Sequence, residues 1–218
     1  NEKGQRQYPR KRFFDEIVAV MKRSRRSVPL FNDKHLSYRT DWAHEMYDTT
    51  QQLKIPFMAG SSVPLAQRRP PLELSNGVEI EEAISVHGGP LEVYDFHSME
   101  LLQSMIEARK GGETGVASVQ AVSGEAIWKA EKEKRWSFAL LMEALRGTGV
   151  KMPVDEIRKK LGEGPTIFLI EYRDGQRGAV AMMNGIGREF GVALKLRDKA
   201  KPFVNHYWLQ DKKPYRHF

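Results

Sequence analysis

Cysteine is absent from the 218 residues, which excludes disulfide bonds, thiolate catalysis and cysteine-ligated zinc. Long apolar runs are absent too, since no stretch approaches the ~20 apolar residues that a membrane-spanning helix needs. The first residues, 1–5, contain neither an initiator Met nor the pattern of a signal peptide. We therefore predict a cytoplasmic protein without a membrane association, whose true start lies outside this chain.

The common phosphate-binding and nucleophile motifs are also missing. No P-loop, Gly-x-Ser-x-Gly or His-Glu-x-x-His occurs in the chain. Residues 111–115 are glycine-rich, but they lie between a predicted helix and a predicted strand, the reverse of the order that a dinucleotide-binding loop requires. Residues 184–191 follow a predicted strand, but another strand comes next, which favours a hairpin turn. Nothing in the sequence predicts a loop that could hold a pyrophosphate.

The net charge of +7 is concentrated at the two ends of the chain. Residues 1–26 contain nine Lys or Arg against three acids, and residues 195–218 contain seven against two. Arg23, Arg25 and Arg26 fall at the predicted end of a helix, where cations offset the helix dipole. A nucleic-acid surface would need a basic face with interleaved aromatic residues, so we predict no nucleic-acid partner.

The first quarter of the chain has the pattern of an α/β structure. Hydrophobic residues make up 40% of the sequence and charged residues 29%, which is ordinary for a globular protein. Hydrophobic periodicity predicts a helix at 10–24, a strand at 27–31, a helix at 37–53 and a strand at 56–60. This order of elements with short connections is typical of a parallel sheet.

The pattern changes at residues 64–71, which hold three prolines together with Arg68 and Arg69 and so predict a domain boundary or crossover. Arg68 and Arg69 either contact a substrate or are solvated charges of this crossover. Downstream, Asp174-Gly175 is a strong hairpin signal. The remaining elements that we predict are strands at 78–86, 116–122, 166–172, 177–183, 189–195 and 203–208 and helices at 91–109 and 128–146. We therefore predict an α/β unit at 1–63 and an α+β domain with an antiparallel sheet at 64–218.

A first cluster of polar residues, Asn32-Asp33-Lys34-His35, follows the predicted strand at 27–31. Ligands bind at the carboxyl ends of strands in open α/β sheets. An Asp, a Lys and a His at such an edge can position a hydroxyl group or transfer a proton. An ordinary polar turn explains the same composition equally well.

A second cluster lies where the helix at 91–109 is predicted to begin, in the segment Gly88-Gly-Pro-Leu-Glu-Val-Tyr-Asp-Phe-His-Ser-Met-Glu100. Helical spacing would put Tyr94, His97 and Glu100 on one face, and a carboxylate beside a His can raise the pKa of the His. Asp95, His97 and Glu100 are also possible metal ligands, although acid–base chemistry is the stronger interpretation. An acidic helix start that favours the helix dipole is the structural alternative.

Together the two clusters resemble the glucose–fructose oxidoreductase, inositol dehydrogenase and MocA family, whose members join an N-terminal Rossmann domain to a C-terminal open sheet domain. Asp33-Lys34-His35 stands where that family has Glu-Lys-Pro, so Lys34 carries over. Gly88-Gly-Pro-Leu91 resembles the start of the family's second motif, with His97 at the acid–base His and Glu100 at the closing Asp. The assisting Asp of the family is replaced by Val93, and Asp95 lies two residues later.

The resemblance implies a function and a site. The chain would be part of an NAD- or NADP-dependent oxidoreductase that acts on a sugar- or cyclitol-like alcohol, with residues 1–63 as a partial Rossmann domain that lacks the Gly-rich loop. Lys34, His97 and Asp95 would be catalytic. Asn32 and Lys34 would contact the cofactor. Candidate substrate-binding residues are Asp33, His35, Tyr94, Glu100, Arg68 and Arg69.

Two alternatives remain open at this point. The change at Val93 and the Asp95, His97 and Glu100 cluster also fit a non-dehydrogenase enzyme on the same scaffold, for instance a metal-dependent hydrolase, lyase or isomerase. A non-catalytic subunit that forms homo-oligomers through its C-terminal sheet is the other. For that surface the candidates are Phe203, Tyr207 and Trp208, which are equally consistent with an ordinary sheet core.

Overall fold

The structure, a computed structural model, describes residue 2 and residues 6–209. The chain divides into two compact units, Asn1–Ser62 and Val63–Phe218. Each unit has its own core of buried apolar side chains. Within the described residues, no helix is both long and apolar enough to cross a membrane.

The first unit is a small parallel sheet covered by two helices. Its elements are α1 (Arg10–Ser24), β1 (Leu30–Asp33), α2 (Thr40–Gln52) and β2 (Phe57–Gly60). β1 and β2 pair in parallel, so that Asp33 lies beside Gly60 at their carboxyl ends. Phe14, Val18 and Met21, which are spaced for one helix face, pack in the core of the unit with Met46 and Ile55. The predicted α/β order is confirmed.

The second unit is built on one seven-stranded sheet, with strands in the order β3-β9-β8-β4-β7-β6-β5. Only β4 and β7 are parallel neighbours, so the sheet is mainly antiparallel, as predicted. Its elements are a 3₁₀ turn (Val63–Leu65), β3 (Gln67–Arg69), β4 (Ile80–His87), α3 (Asp95–Ile106), β5 (Val116–Ser123), α4 (Glu125–Lys132), α5 (Phe138–Gly147), α6 (Val154–Leu161), β6 (Thr166–Tyr172), β7 (Arg177–Met182), β8 (Phe190–Leu196) and β9 (Phe203–Trp208).

Helices cover both faces of this sheet. Side chains alternate between the faces along a strand, and on β4 Ile84 belongs to one apolar cluster while Ala83 belongs to the other. The cluster with Ile84 contains residues of α4, α5 and α6, and the cluster with Ala83 contains residues of α3. β4 is therefore the central strand of the sheet, with apolar clusters packed on both of its faces.

The connection between β7 and β8 differs from the predicted hairpin. β8 pairs with β4 instead of β7, and β4 lies between the two strands. The turn after β7 must therefore cross the carboxyl end of β4, where the Gly185 N–H donates to the Gly88 carbonyl. Within residues 184–191 a turn does form between two strands, as predicted. The partner of β8 could not be predicted, because strand pairing depends on tertiary packing and not on the local sequence. By contrast, the Asp174-Gly175 hairpin is confirmed by the pairing of β6 with β7.

Other differences from the predicted elements have local causes. The single helix predicted at 128–146 is wrong: α4 ends before Lys134, which has a left-handed backbone (φ 57). α5 then begins after Ser137, whose Oγ accepts a hydrogen bond from the Leu140 N–H in a typical N-cap. Strand β3 and helix α6 were not predicted, because β3 is only three residues long and α6 only eight.

Not all of the three residues proposed for an oligomer surface, Phe203, Tyr207 and Trp208, are exposed. Tyr207 is fully buried against Met105 of α3, so it belongs to the core of the second unit. Trp208 is partly buried, and the Arg69 guanidinium carbon lies 3.5 Å from its ring centroid. Of the two alternatives for Tyr207, the structure therefore supports the sheet core, because β9 is an internal strand covered on that side by α3.

Candidate functional site

In the first unit, the predicted polar cluster lies at the carboxyl ends of β1 and β2. Lys34 directly follows β1, and its N–H donates to the Gly60 carbonyl over 2.9 Å. Its Nζ lies 2.7 Å from Oδ2 of Asp33. The side chain of Asn32 donates from Nδ2 to the carbonyls of Lys34 and His35. The structure thus brings all four residues together in one fixed turn.

The backbone of this turn is unusual at Lys34, where φ is 73°. A side chain larger than that of Gly is disfavoured in this left-handed region, at a cost of about 1 kcal/mol. Such a conformation persists only when neighbouring contacts fix it, and positions of this kind are concentrated at functional sites. The β-bridge to Gly60 and the two bonds from Asn32 supply those contacts. The turn therefore presents the Lys34 ammonium group at the edge where ligands bind in α/β sheets.

In the second unit, a cleft of about 630 Å³ opens at the carboxyl end of β4. Its volume is within the range of small-molecule sites. It is formed by the segment after β4, the turn that crosses from β7 to β8 and the residue after β9. The lining residues are His87, Gly88, Gly89, Pro90, Tyr94, Asn184, Gly185, Gly187, Arg188, Glu189, Phe190 and Leu209.

His87, the last residue of β4, forms the inner wall of this cleft. Its ring lies 4.5 Å from the Tyr94 ring, in a stacked arrangement, and 4.0 Å from the Phe190 ring, measured between centroids. Nδ1 accepts a hydrogen bond from the Gly89 N–H at 2.7 Å, which places the proton of the neutral ring on Nε2. Burial lowers the pKa of His87 to about 4, although a hydrogen bond with the Arg188 backbone opposes this shift. His87 is therefore a neutral structural residue at physiological pH.

The two glycines after His87 are required by close packing. A Cβ on Gly88 would lie 1.8 Å from the Gly187 carbonyl oxygen, and a Cβ on Gly89 would lie 2.3 Å from Cδ2 of Tyr94. The crossing turn therefore rests directly on the backbone of Gly88. Tyr94, in turn, can approach His87 only because Gly89 has no side chain. The Gly-Gly pair that the sequence singled out shapes the cleft.

Glu189 and His206 form a second polar pair at this cleft. Oε2 of Glu189 lies 3.3 Å from Nε2 of His206, and both side chains are mostly buried. Glu189 lines the cleft directly, whereas His206, on β9, supports it from behind. A carboxylate oriented in this way can accept hydrogen bonds from a hydroxyl-bearing ligand. Sequence reasoning missed His87, Glu189 and His206, because no motif marks them and their proximity arises from strand order.

The residues predicted on α3 lie at the start of that helix and in its first two turns. α3 begins at Asp95, four residues later than predicted, after a turn in which Glu92 has a left-handed backbone (φ 62). Tyr94 is the N-cap residue of α3 and lines the cleft, with its ring centroid 6.3 Å from that of Phe190. That Tyr94, His97 and Glu100 share one helical face stays a prediction. Oδ1 of Asp95 accepts a hydrogen bond from the Phe96 N–H. His97 is partly buried, with its ring centroid 6.2 Å from that of Phe190.

Two further predicted groups lie outside the lining of the cleft. Arg68 and Arg69 are on the edge strand β3, where Arg68 pairs with Glu73 at 3.7 Å and Arg69 covers Trp208. Asp95, His97 and Glu100 do not form a metal site, since among the described residues no group of three His, Cys, Asp or Glu side chains could hold a metal ion. The catalytic and substrate-binding roles of these residues remain predictions.

No family model matches the sequence, and no curated protein matches it either. Solved structures to which the chain is similar include GenD2 from gentamicin A biosynthesis in complex with NAD, at 14% identity and a TM-score of 0.46, covering 90% of this chain and 52% of that chain. A putative dehydrogenase from Bordetella bronchiseptica RB50 matches at 12% identity and a TM-score of 0.41, covering 81% of this chain and 42% of that chain.

A third similar structure is the UDP-N-acetylglucosamine 3-dehydrogenase GnnA from Acidithiobacillus ferrooxidans. It matches at 9% identity and a TM-score of 0.42, covering 94% of this chain and 64% of that chain. The chain thus spans between 42% and 64% of the length of these three proteins.

Proposed function

We propose that this chain is part of a nicotinamide-dependent oxidoreductase that oxidises a secondary alcohol of a sugar- or cyclitol-like substrate. The observation that carries the proposal is the fixed, left-handed turn at Lys34, at the carboxyl ends of two parallel strands. The resemblance of Asp33-Lys34-His35 and of the segment from Gly88 to Glu100 to the two motifs of the oxidoreductase family supports it from the sequence.

The residues of the first unit suit only one end of such a cofactor. In the proposal Asn32 and Lys34 contact the nicotinamide ring, as the resemblance implies. The Asn32 side-chain amide also holds the turn through its bonds to the carbonyls of Lys34 and His35. Among the described residues no Gly-x-Gly-x-x-Gly turn, the pattern that holds a pyrophosphate, joins a strand to a helix. When bound, the nicotinamide would accept a hydride from the alcohol carbon. The choice between NAD and NADP is left open.

The chain's own residues would bind the alcohol and remove its proton. In the proposal the Lys34 ammonium donates to the substrate hydroxyl and lowers its pKa, because a nearby positive charge favours the alkoxide. Asp33 orients Lys34 through the 2.7 Å ion pair. In the second unit, taken by itself, the resemblance gives His97 the acid–base role, with Asp95 and Glu100 in positioning roles. Tyr94 and Glu189 line the cleft of that unit and offer a hydroxyl and a carboxylate group that could bind hydroxyls of a polyol.

The first test uses the intact natural protein with NAD or NADP and a panel of hexoses, sugar acids and cyclitols, following the formation of reduced nicotinamide. We expect Lys34→Met to lower kcat/KM by about 100-fold or more, since a lost charge-assisted hydrogen bond to the reacting oxygen costs roughly 3 kcal/mol. Lys54→Met is the matched control, because Lys54 is exposed and also has a left-handed backbone, but lies before β2 instead of after β1.

The two variants must differ for the proposal to stand. Equal activity of Lys34→Met and Lys54→Met would remove Lys34 from the site. Failure of the unmodified protein to reduce either cofactor with any alcohol of the panel would reject the oxidoreductase itself.

A further inference from the structure

The two edges of the seven-stranded sheet differ in a way that matters for association. β3, at one edge, has only three residues, of which two are Arg68 and Arg69, and Pro70 follows it. Charged residues, proline and short length are the usual means of preventing an edge strand from pairing with another chain. β5, at the other edge, is eight residues long and contains no charged residue and no proline. One edge is therefore protected and the other is open.

The open edge is also exposed. Seven of the eight residues of β5 are exposed and only Val122 is buried. Val119 is 54% exposed and Val116 42%, which is unusual for valines in a strand. Within the described part of the chain, β5 pairs with β6 and with no other strand. One row of backbone N–H and C=O groups on β5 is thus available to a further strand.

The sequence of β5, Val-Ala-Ser-Val-Gln-Ala-Val-Ser, is self-complementary when two copies of the strand are paired antiparallel. Residues opposite one another in such a pair have their side chains on the same face. If Val119 lies opposite Val119 of a second strand, Ser118 faces Gln120, and Ala117 faces Ala121. Every pair then joins like with like, polar with polar and apolar with apolar. The bulge in β5 falls between Val116 and Ser118, so the central pairs lie in its regular part.

We propose that β5 pairs antiparallel with β5 of a second copy of this chain, about a two-fold axis that passes beside Val119, so that two seven-stranded sheets become one. A second copy is the occupant because the pairing is self-complementary about one residue, as a two-fold interface requires. An uncharged strand also offers no charge pattern that would select a different partner. This inference does not depend on the proposed catalytic function.

The pairing is short, and this sets the expected affinity. A standard protein interface buries about 1,600 Å² in total, which is more than two strands of this length bury alone. We therefore expect a dimer that dissociates in the micromolar range or above and whose population depends on protein concentration. Binding would order little new structure, because β5 is already held by β6.

The absence of cysteine permits a direct test by disulfide trapping in the otherwise unmodified chain. In the proposed register Val119 of one copy lies opposite Val119 of the other, with Cα atoms about 4.5–5.5 Å apart. This distance is within the range that a disulfide spans. Val119→Cys should therefore form a covalent dimer under mild oxidation. Ala121→Cys is on the same strand and also exposed, but Ala121 is displaced by four residues from its copy and should stay monomeric. Trapping at Ala121, or at neither position, would overturn the proposal.

A second variant tests the association without a cross-link. Val119→Lys places two positive charges opposite each other on the two-fold axis, and like charges directly opposite are destabilising. We expect the concentration-dependent increase in mass seen by light scattering to shift to at least tenfold higher concentration. Val154→Lys is the control, since Val154 is also exposed but begins α6. Equal behaviour of the two variants, or a monomer at all concentrations in the unmodified chain, would reject the interface.

Discussion

The carboxyl end of β4 and the first turn of α3 each present a histidine, and the two differ in almost every physical respect. His87 is buried, its Nδ1 accepts a hydrogen bond from the Gly89 N–H, and its ring stacks on Tyr94 and lies 4.0 Å from the ring of Phe190. His97 is only partly buried and lies at the helix start that the sequence motif marks. The comparison separates two uses of one side chain, since a buried ring packed on aromatic neighbours serves structure, while a partly exposed ring can contact a ligand.

This difference also shows why a motif and a cleft need not indicate the same residue. The motif that contains His97 is a local pattern, so it can be recognised in the sequence. The surroundings of His87 come from three strands and a crossing turn, which only the folded chain brings together. We therefore expect substitutions of the two histidines to have opposite effects on turnover and on the free energy of unfolding. Measuring both quantities tests the comparison.

The largest expected effect is on turnover. In the proposed function His97 is the general base, so His97→Asn should lower kcat of the intact protein by about 100- to 10,000-fold, the usual contribution of such a group. The free energy of unfolding should change by about 1 kcal/mol or less. His87→Asn should do the opposite, because it leaves the Gly89 N–H and the aromatic rings without their partner. We expect it to lower the free energy of unfolding by about 2–3 kcal/mol with at most a tenfold change in kcat.

Steady-state kinetics and urea denaturation of both variants provide the two measurements. His44→Asn is the control, because His44 is exposed on α2 in the other unit. If both substitutions reduce turnover and stability together, the distinction between a structural and a catalytic histidine fails.

The elements that could be predicted are those with local signals. α1, α2 and the parallel strands between and after them follow from hydrophobic spacing, and the β6–β7 hairpin follows from Asp174-Gly175. The break between α4 and α5 had a local signal as well, since Ser137 is a typical N-cap residue. It was outweighed by an apolar periodicity that continues through residues 128–146.

The parts that could not be predicted depend on long-range pairing. The insertion of β4 between β7 and β8 turns an apparent hairpin into a crossing turn, and this alone brings Glu189 and Phe190 to the end of β4. The position of Tyr94 beside His87 depends on the left-handed residue Glu92, which is not a residue type that normally marks such a turn. For the candidate site, the sequence therefore predicts which polar residues are present more readily than which residues they contact.

A second test concerns the rigidity of the buried end. Gly88→Ala would place a Cβ 1.8 Å from the Gly187 carbonyl oxygen, and its nearest neighbours are all backbone atoms of Ile186 and Gly187, which cannot rotate away as a side chain can. We expect the free energy of unfolding to fall by about 3 kcal/mol or more, as overpacking of a rigid site does. Gly162→Ala is the control, since its φ is −75° and the nearest atom to its added Cβ is 3.4 Å away. Equal urea midpoints for the two variants would show that the crossing turn moves freely from β4.

The last expected effect depends on pH and concerns the burial of His87. Burial lowers the pKa of His87 from 6.5 to about 4, so between these values the unfolded chain binds a proton that the folded chain does not. Stability from the neutral ring is therefore complete above pH 6.5 and is lost as the pH falls towards 4. The full loss is on the order of 3 kcal/mol, from about 1.4 kcal/mol for each pKa unit.

Urea denaturation of the unmodified chain and of His87→Phe, at neutral pH and near pH 4, isolates this contribution from the titration of carboxyl groups. Because Phe keeps an aromatic ring between Tyr94 and Phe190 but cannot bind a proton, the variant should lose less stability on acidification than the unmodified chain. Parallel pH profiles for the unmodified chain and His87→Phe would mean that His87 takes up its proton in the folded protein and that the end of β4 is more open than its packing indicates.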